Sequence, residues 1–205
     1  MASTATPYGL KPINLIGGQS FNGGVIREYK LPSNVAAAYY TGAVMYMNTN
    51  GVVTPVAATP TAGTTAGVLG VCVGVRYTDP NLKYTVFAQY LPSGAITAGY
   101  SDVFIRVCDD PDQLYMIQAD TAVGTKTNGA RGAIGQNAPL KTFTGSATTG
   151  LSQTALDTGS NWGTCASTNT LAMRIVDIYT PDDTYPEVIV KFNQGVHSYY
   201  FSTGV

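Results

Sequence analysis

"AVMYMNTNGVVTPV", residues 43–56, is two short apolar runs placed around Asn50-Gly51. Asn and Gly both tolerate positive φ, so the spacing predicts a hairpin. Just downstream, "GVLGVCVGVRY" (67–77) is apolar almost throughout. It reads as a strand buried on both faces. Upstream, "VIREYKL" (25–31) alternates: Val25, Arg27 and Tyr29 share one face, and Ile26, Glu28 and Lys30 share the other. "YTVFAQYL" (84–91), "DVFIRV" (102–107), "LYMIQA" (114–119), "LAMRIVDIY" (171–179), "EVIVKFN" (187–193) and "VHSYYF" (196–201) extend the series. Turn residues separate all of these runs. "SNVAAAYYTGAV" (33–44) has room for a helical turn or two, but Gly42 argues against more. The pattern predicts an all-β chain, a β-sandwich or small β-barrel of jelly-roll or β-tulip-like type, with long polar loops and little helix.

Three segments depart from the strand pattern. Residues 1–23 read as an N-terminal arm ahead of an all-β domain spanning 24–205. Around Tyr8 the arm carries Leu10, Ile13, Leu15 and Ile16, with Lys11 as its one charge. Each of these aliphatic side chains gains about 1.5–3 kcal/mol from burial. The expected cover is a partner chain, with the chain's own barrel as the alternative. Residues 57–66, "AATPTAGTTA", form a small-residue surface loop. Residues 121–170 hold almost no aliphatic run and read as a polar insertion. Trp162, the only tryptophan, sits there, where a large ring on a polar loop suits an interface anchor. Tyr199 and Tyr200, in the aromatic C-terminal run, are candidates for the same role.

Composition narrows the function classes. Of 205 residues, 44% are apolar, enough for a real core, and only 11% are charged, with a formal net charge of −1. A soluble domain usually carries about 25% charged residues. Such a surface lacks the clustered Lys and Arg that nucleic-acid binding needs, so no nucleic-acid partner is expected. Cys72, Cys108 and Cys165 are far apart and form no C-x-x-C, so all three are expected to be reduced and unpaired. The start "MASTATPYGLKP" lacks a basic region followed by an apolar one, and no apolar run is long enough to span a bilayer. The expectation is synthesis in a cytoplasm and no membrane partner.

"FIRVCDDPDQLYMIQAD" (104–120) concentrates Asp109, Asp110, Asp112 and Asp120. It lacks the D-x-D-x-D-G spacing of a calcium loop. Pro111 forces Asp110 toward an extended conformation, so Asp-Asp-Pro-Asp reads as a turn whose carboxylates accept backbone N–H groups. "YTDPNLKY" (77–84) and "YTPDDTYPE" (179–187) repeat that chemistry. No metal, cofactor or catalytic residue is assigned. His197 is the only histidine, and the G-x-S-x-G, H-E-x-x-H and P-loop motifs are missing from the sequence.

Several segments, in order, resemble tailed-bacteriophage proteins that decorate or cement the capsid. They are "TPYGLKPINLIGGQSFNGGVIREYKL", "YYTGAVMYMNTNGVVTPV", "AGVLGVCVGVRYTD", "DDPDQLYMIQAD", "SATTGLSQTALD", "LAMRIVDIYTPDD" and "PEVIVKFNQGVHSYY". The resemblance implies a virion protein without enzymatic activity on the capsid exterior, made in the host bacterial cytoplasm. Its partner would be the major capsid protein, and its state a homo-oligomer, trimer or dimer. A tail or fibre protein of the same virion is the alternative, although no fibre-like repeat is visible. An enzyme using a carboxylate pair is more distant.

Overall fold

The computed structural model describes residues 4–18, 26–61, 67–121, 129–159, 162–180 and 184–200. In chain order the strands are β1 (Lys11–Leu15), β2 (Ile26–Lys30), β3 (Tyr39–Tyr40), β4 (Val44–Met47), β5 (Val53–Pro55), β6 (Gly70–Thr78), β7 (Thr85–Ala88) and β8 (Tyr90–Leu91). Then come β9 (Ser101–Cys108), β10 (Gln113–Gln118), β11 (Asn137–Ala138), β12 (Leu140–Lys141), β13 (Ala155–Leu156), β14 (Met173–Ile178) and β15 (Glu187–Phe192). Among the described residues helical structure is limited to short 3₁₀ turns, including Gly129–Ala133 and Ser198–Tyr200. The all-β expectation holds.

The strands form two large antiparallel sheets and two small ribbons. One sheet runs β1-β10-β15-β14-β11; the other runs β2-β9-β6-β4-β5, with β7 also paired to β6. The ribbons are β3-β8 and β12-β13. The second sheet is the middle layer, and its register shows why. Val71 lies opposite Cys108, and Cys72 lies opposite Val107. Side chains alternate along a strand, so these pairs point to opposite faces. Val71 and Cys108 join a core with the inward side chains of the first sheet, such as Tyr115, Ile117, Val190 and Ile175. Cys72 and Val107 join a second core with Tyr39, Met45, Val53 and Leu91. The expectation for 67–77, burial on both faces, is met over Gly70–Val75, where only Val73 is partly exposed.

The same register settles the thiol question. Cys72 and Cys108 sit on neighbouring strands but face different cores, so their Cβ atoms diverge and cannot be bridged. All three cysteines are buried, and none of them forms a disulfide. Burial pushes the Cys72 thiol up to about 12 and the Cys108 thiol to about 11. A bulky thiol reagent is therefore expected to label none of the three in the native protein and all three in denaturant without reductant. Fast labelling of one native thiol, or fewer than three after unfolding, contradicts this.

The hairpin at 43–56 forms as β4 and β5, with Met47 opposite Val53 and Met45 opposite Pro55. Its turn uses the positive φ of Gly51 alone (70°), and the Asn48 carboxamide accepts the N–H groups of Asn50 and Val52, both at 3.0 Å. Residues 11–15 of the expected arm are an edge strand of the chain's own first sheet, paired with β10. The chain reaches that position by a close crossing of two glycines. Gly9 has φ 80°, and a Cβ there would lie 2.5 Å from the Gly42 carbonyl oxygen. The crossing delivers the Leu10 N–H to that oxygen at 3.0 Å and the Leu10 side chain into the first core.

Two expectations are corrected. "VHSYYF" is not a strand. His197 makes an isolated bridge with Val68, and residues 198–200 turn as a 3₁₀ helix; Phe201 lies outside the described residues. The described part of 121–170 is no mere surface insertion. It supplies Ala138, Leu140, Leu156, Trp162 and Cys165 to the first core. Residues 122–128 and 160–161 lie outside the described residues. The apolar side chains arrive singly, each on a two-residue strand or a turn, so no run of them is visible in the sequence.

Candidate functional site

The aspartate corner and the C-terminal turn come together at one end of the middle sheet. Asp109 directly follows β9 and, by alternation, shares the face of Arg27 and Tyr29 on β2. Its side chain is buried, and Oδ2 accepts the Tyr29 hydroxyl at 2.9 Å and the Tyr199 hydroxyl at 2.5 Å. The exposed Arg27 guanidinium closes the group, with Nε 3.2 Å from the same oxygen. Burial, followed by hydrogen bonds with Tyr199 and Asp109, raises the Tyr29 pKa and keeps the phenol protonated.

Asp110 forms the expected turn, its Oδ1 accepting the Asp112 N–H at 2.7 Å. Asp112 accepts Lys191 Nζ at 2.6 Å and, more loosely, the Tyr200 hydroxyl at 3.4 Å. The Lys191 hydrogen bond, against opposing burial, holds the Asp112 carboxyl below its ordinary range. Asp120 stands apart. Its Oδ1 accepts the N–H and hydroxyl of Thr158, and Oδ2 pairs with Lys141. Burial would raise its pKa, but these partners outweigh burial and lower it. Among the described residues, no group of three or more His, Cys, Asp and Glu side chains is arranged to hold a metal.

His197 is the centrepiece of this end of the fold. It is fully buried beside Phe192, Tyr199 and Tyr200, with ring centroids 5.2–6.3 Å away. Nδ1 accepts the Tyr199 N–H at 3.3 Å, while Nε2 has no hydrogen-bond partner. Burial, with a smaller push from Lys191, lowers its pKa to about 4, against the opposing pull of Asp109, Asp110 and Asp112. The arrangement is a clasp: two carboxylates hold the hydroxyls of Tyr199 and Tyr200, and the neutral imidazole packs beneath. Replacing Asp109 with alanine strands two phenol hydroxyls and one guanidinium. The expected cost is about 1–3 kcal/mol, with faster amide exchange over residues 196–200 than elsewhere. Unchanged exchange there would mean that the clasp does not hold the C-terminal turn.

The candidate contact residues now separate. Leu10 and Trp162 are buried in the chain's own first core, so neither ring nor aliphatic tip is presented at the surface. Leu10 enters through the glycine crossing, and Trp162 is fully buried from a residue with a backbone φ of 61°. Tyr8 is partly buried and donates its hydroxyl to Glu187 at 2.8 Å. Ile13 and Leu15 are partly buried on β1. Ile16, Tyr199 and Tyr200 stay exposed. Beside Tyr84, which is 59% exposed, the β6–β7 hairpin presents Leu82 and Phe87 at 53% and 66% exposure, and sequence reasoning missed these two. A signal was present: no charged residue occurs from Tyr84 to Tyr100.

Phe87 also belongs to a cross-strand row. Pairing places Phe87 opposite Arg76, Arg76 opposite Phe104, and Phe104 opposite Lys30. The Arg76 guanidinium sits 4.1 Å from the Phe104 ring centroid, and its Nη2 meets Glu28 at 2.8 Å. Beside this row an apolar cleft of about 640 Å³ opens between the two large sheets, lined in part by Pro12, Ile26, Val73, Met116 and Leu151. No family model, curated protein or solved structure matches the chain.

Proposed function

We propose that this chain is a capsid decoration or cement protein that binds the outside of an assembled phage shell and bridges neighbouring major capsid proteins. The observation that carries the proposal is where the side chains are used. The acidic and imidazole groups of the corner are bonded into its own scaffold, whereas Ile16, Leu82, Tyr84, Phe87, Tyr179, Tyr199 and Tyr200 are left outside. Large apolar and aromatic side chains on a surface with few charges suit packing against protein. The ordered resemblance along the sequence supplies the kind of partner. The mechanism needs no chemistry at a catalytic centre: a protein that binds the assembled shell and not its dissociated subunits stabilises the shell by mass action. Several linked copies add avidity.

Copy number in purified particles tests the proposal. Quantitative gel or mass-spectrometric ratios are expected to give this chain at hundreds of copies, on the order of the major capsid protein. A few to some tens of copies would place it in the tail and overturn the shell assignment.

A further inference from the structure

Edge strands invite pairing with other chains, and proteins blunt them with charges, proline, bulges or short length. Four edges of the two large sheets follow that rule. β1 carries Pro12 and a register irregularity, β2 carries Arg27, Glu28 and Lys30, β5 ends in Pro55, and β11 has two residues. β7 does not. It reads Thr-Val-Phe-Ala, and among the described residues it pairs only with β6.

The direction of its free backbone groups can be derived. At the turn the Asp79 N–H bonds the Tyr84 carbonyl at 3.2 Å. In an antiparallel ladder, hydrogen-bonded and non-bonded pairs alternate. Counting along the register, Val86 and Ala88 bond to β6, and the N–H and C=O groups of Thr85 and Phe87 point outward. Four backbone groups are thus displayed on a neutral strand flanked by exposed aromatic rings.

We infer that two copies of this chain pair edge to edge through β7, antiparallel about a two-fold axis at Val86. That register sets Thr85 against Phe87 of the second copy and satisfies all four outward groups. It also matches large with small, with Phe87 beside Thr85 and Tyr84 beside Ala88. An isologous contact sets a strand against itself, so a charge near the axis would meet its own copy. β7 has none, whereas β2 would oppose like charges. The inference does not depend on the shell assignment, and it selects a dimer over a trimer.

The test combines association and cross-linking. Light scattering from low to several hundred micromolar chain is expected to show mass rising from one subunit to two. Phe87→Lys, at an exposed position that leaves the core untouched, is expected to weaken association at least tenfold. Tyr179→Lys, equally exposed but distant in sequence, is the control and leaves it unchanged. In the paired register Val86 and its copy form a non-bonded pair with Cα atoms about 4.5 Å apart, within disulfide reach. Val86→Cys is therefore expected to cross-link into dimers under mild oxidation, while Thr85→Cys does not. One-subunit mass throughout overturns the inference, as does a trimer insensitive to Phe87→Lys or equal cross-linking from both cysteine variants. If the chain stays monomeric and Phe87→Lys abolishes binding to particles, the edge takes a strand of another protein and self-pairing is refuted.

Discussion

Trp162→Ala is expected to lower the unfolding free energy by about 3–5 kcal/mol. The ring is one of the largest fully buried side chains, and its removal opens a cavity in the core that joins the first sheet to the middle sheet. For a chain of this length the melting temperature should fall by roughly 6–20 °C. An exposed anchor behaves differently: its truncation changes stability by no more than about 0.5 kcal/mol and acts on binding alone. Chemical denaturation of the purified variant decides between the two. A near-zero change in stability would contradict the burial of this ring. Binding to particles is not the readout, because a destabilised protein binds less whatever the cause.

The second large effect is acid sensitivity set by His197. Its imidazole titrates at about 4 in the folded chain, against an ordinary value of 6.5. Between those two values the unfolded chain takes up a proton that the folded chain refuses. The stability from keeping the ring neutral is complete above pH 6.5. It declines as the pH falls and is fully lost below about pH 4. The total is on the order of 3 kcal/mol. Asp112 and Asp120, held low against an ordinary 3.8, lose their contributions below that value, and the exposed Glu28, held low against 4.5 by Arg76, begins to lose its own only at the acid end of this window. Urea unfolding at pH 7, 5.5 and 4.5 is expected to show a falling midpoint for the natural chain and a flatter series for His197→Gln. Parallel slopes for the two proteins would remove His197 as the cause.

Much of the fold was legible because strand periodicity is local. The alternation in 25–31 gave the two faces of β2, and Asn50-Gly51 marked a real hairpin. The nearly uninterrupted apolar run at 67–77 announced a strand buried on both faces, as it is over Gly70–Val75. The aspartate turn was also readable, since Pro111 and the Asx chemistry at Asp110 need only their sequence neighbours. What escaped depends on distant partners. His197 and Tyr199 stand two apart as on a strand, yet the hydroxyls of Tyr199 and Tyr200 bond to Asp109 and Asp112 and the chain turns as a 3₁₀ helix over Ser198–Tyr200. The buried part of 121–170 was hidden because Leu140, Leu156 and Trp162 are separated by polar residues, and only the sheets around them create the cavity they fill. The same holds for Phe87, which looks like any strand aromatic until β7 proves to be an edge.

Paired imaging of particles tests the shell assignment most directly. Reconstructions of particles that carry this chain and of particles stripped of it or made without it would be subtracted. The difference density is expected to lie on the outer surface at many symmetry-equivalent positions, each in contact with more than one capsid subunit and large enough for the two-sheet body described above. Difference density confined to the tail vertex, or none at all, would contradict the assignment.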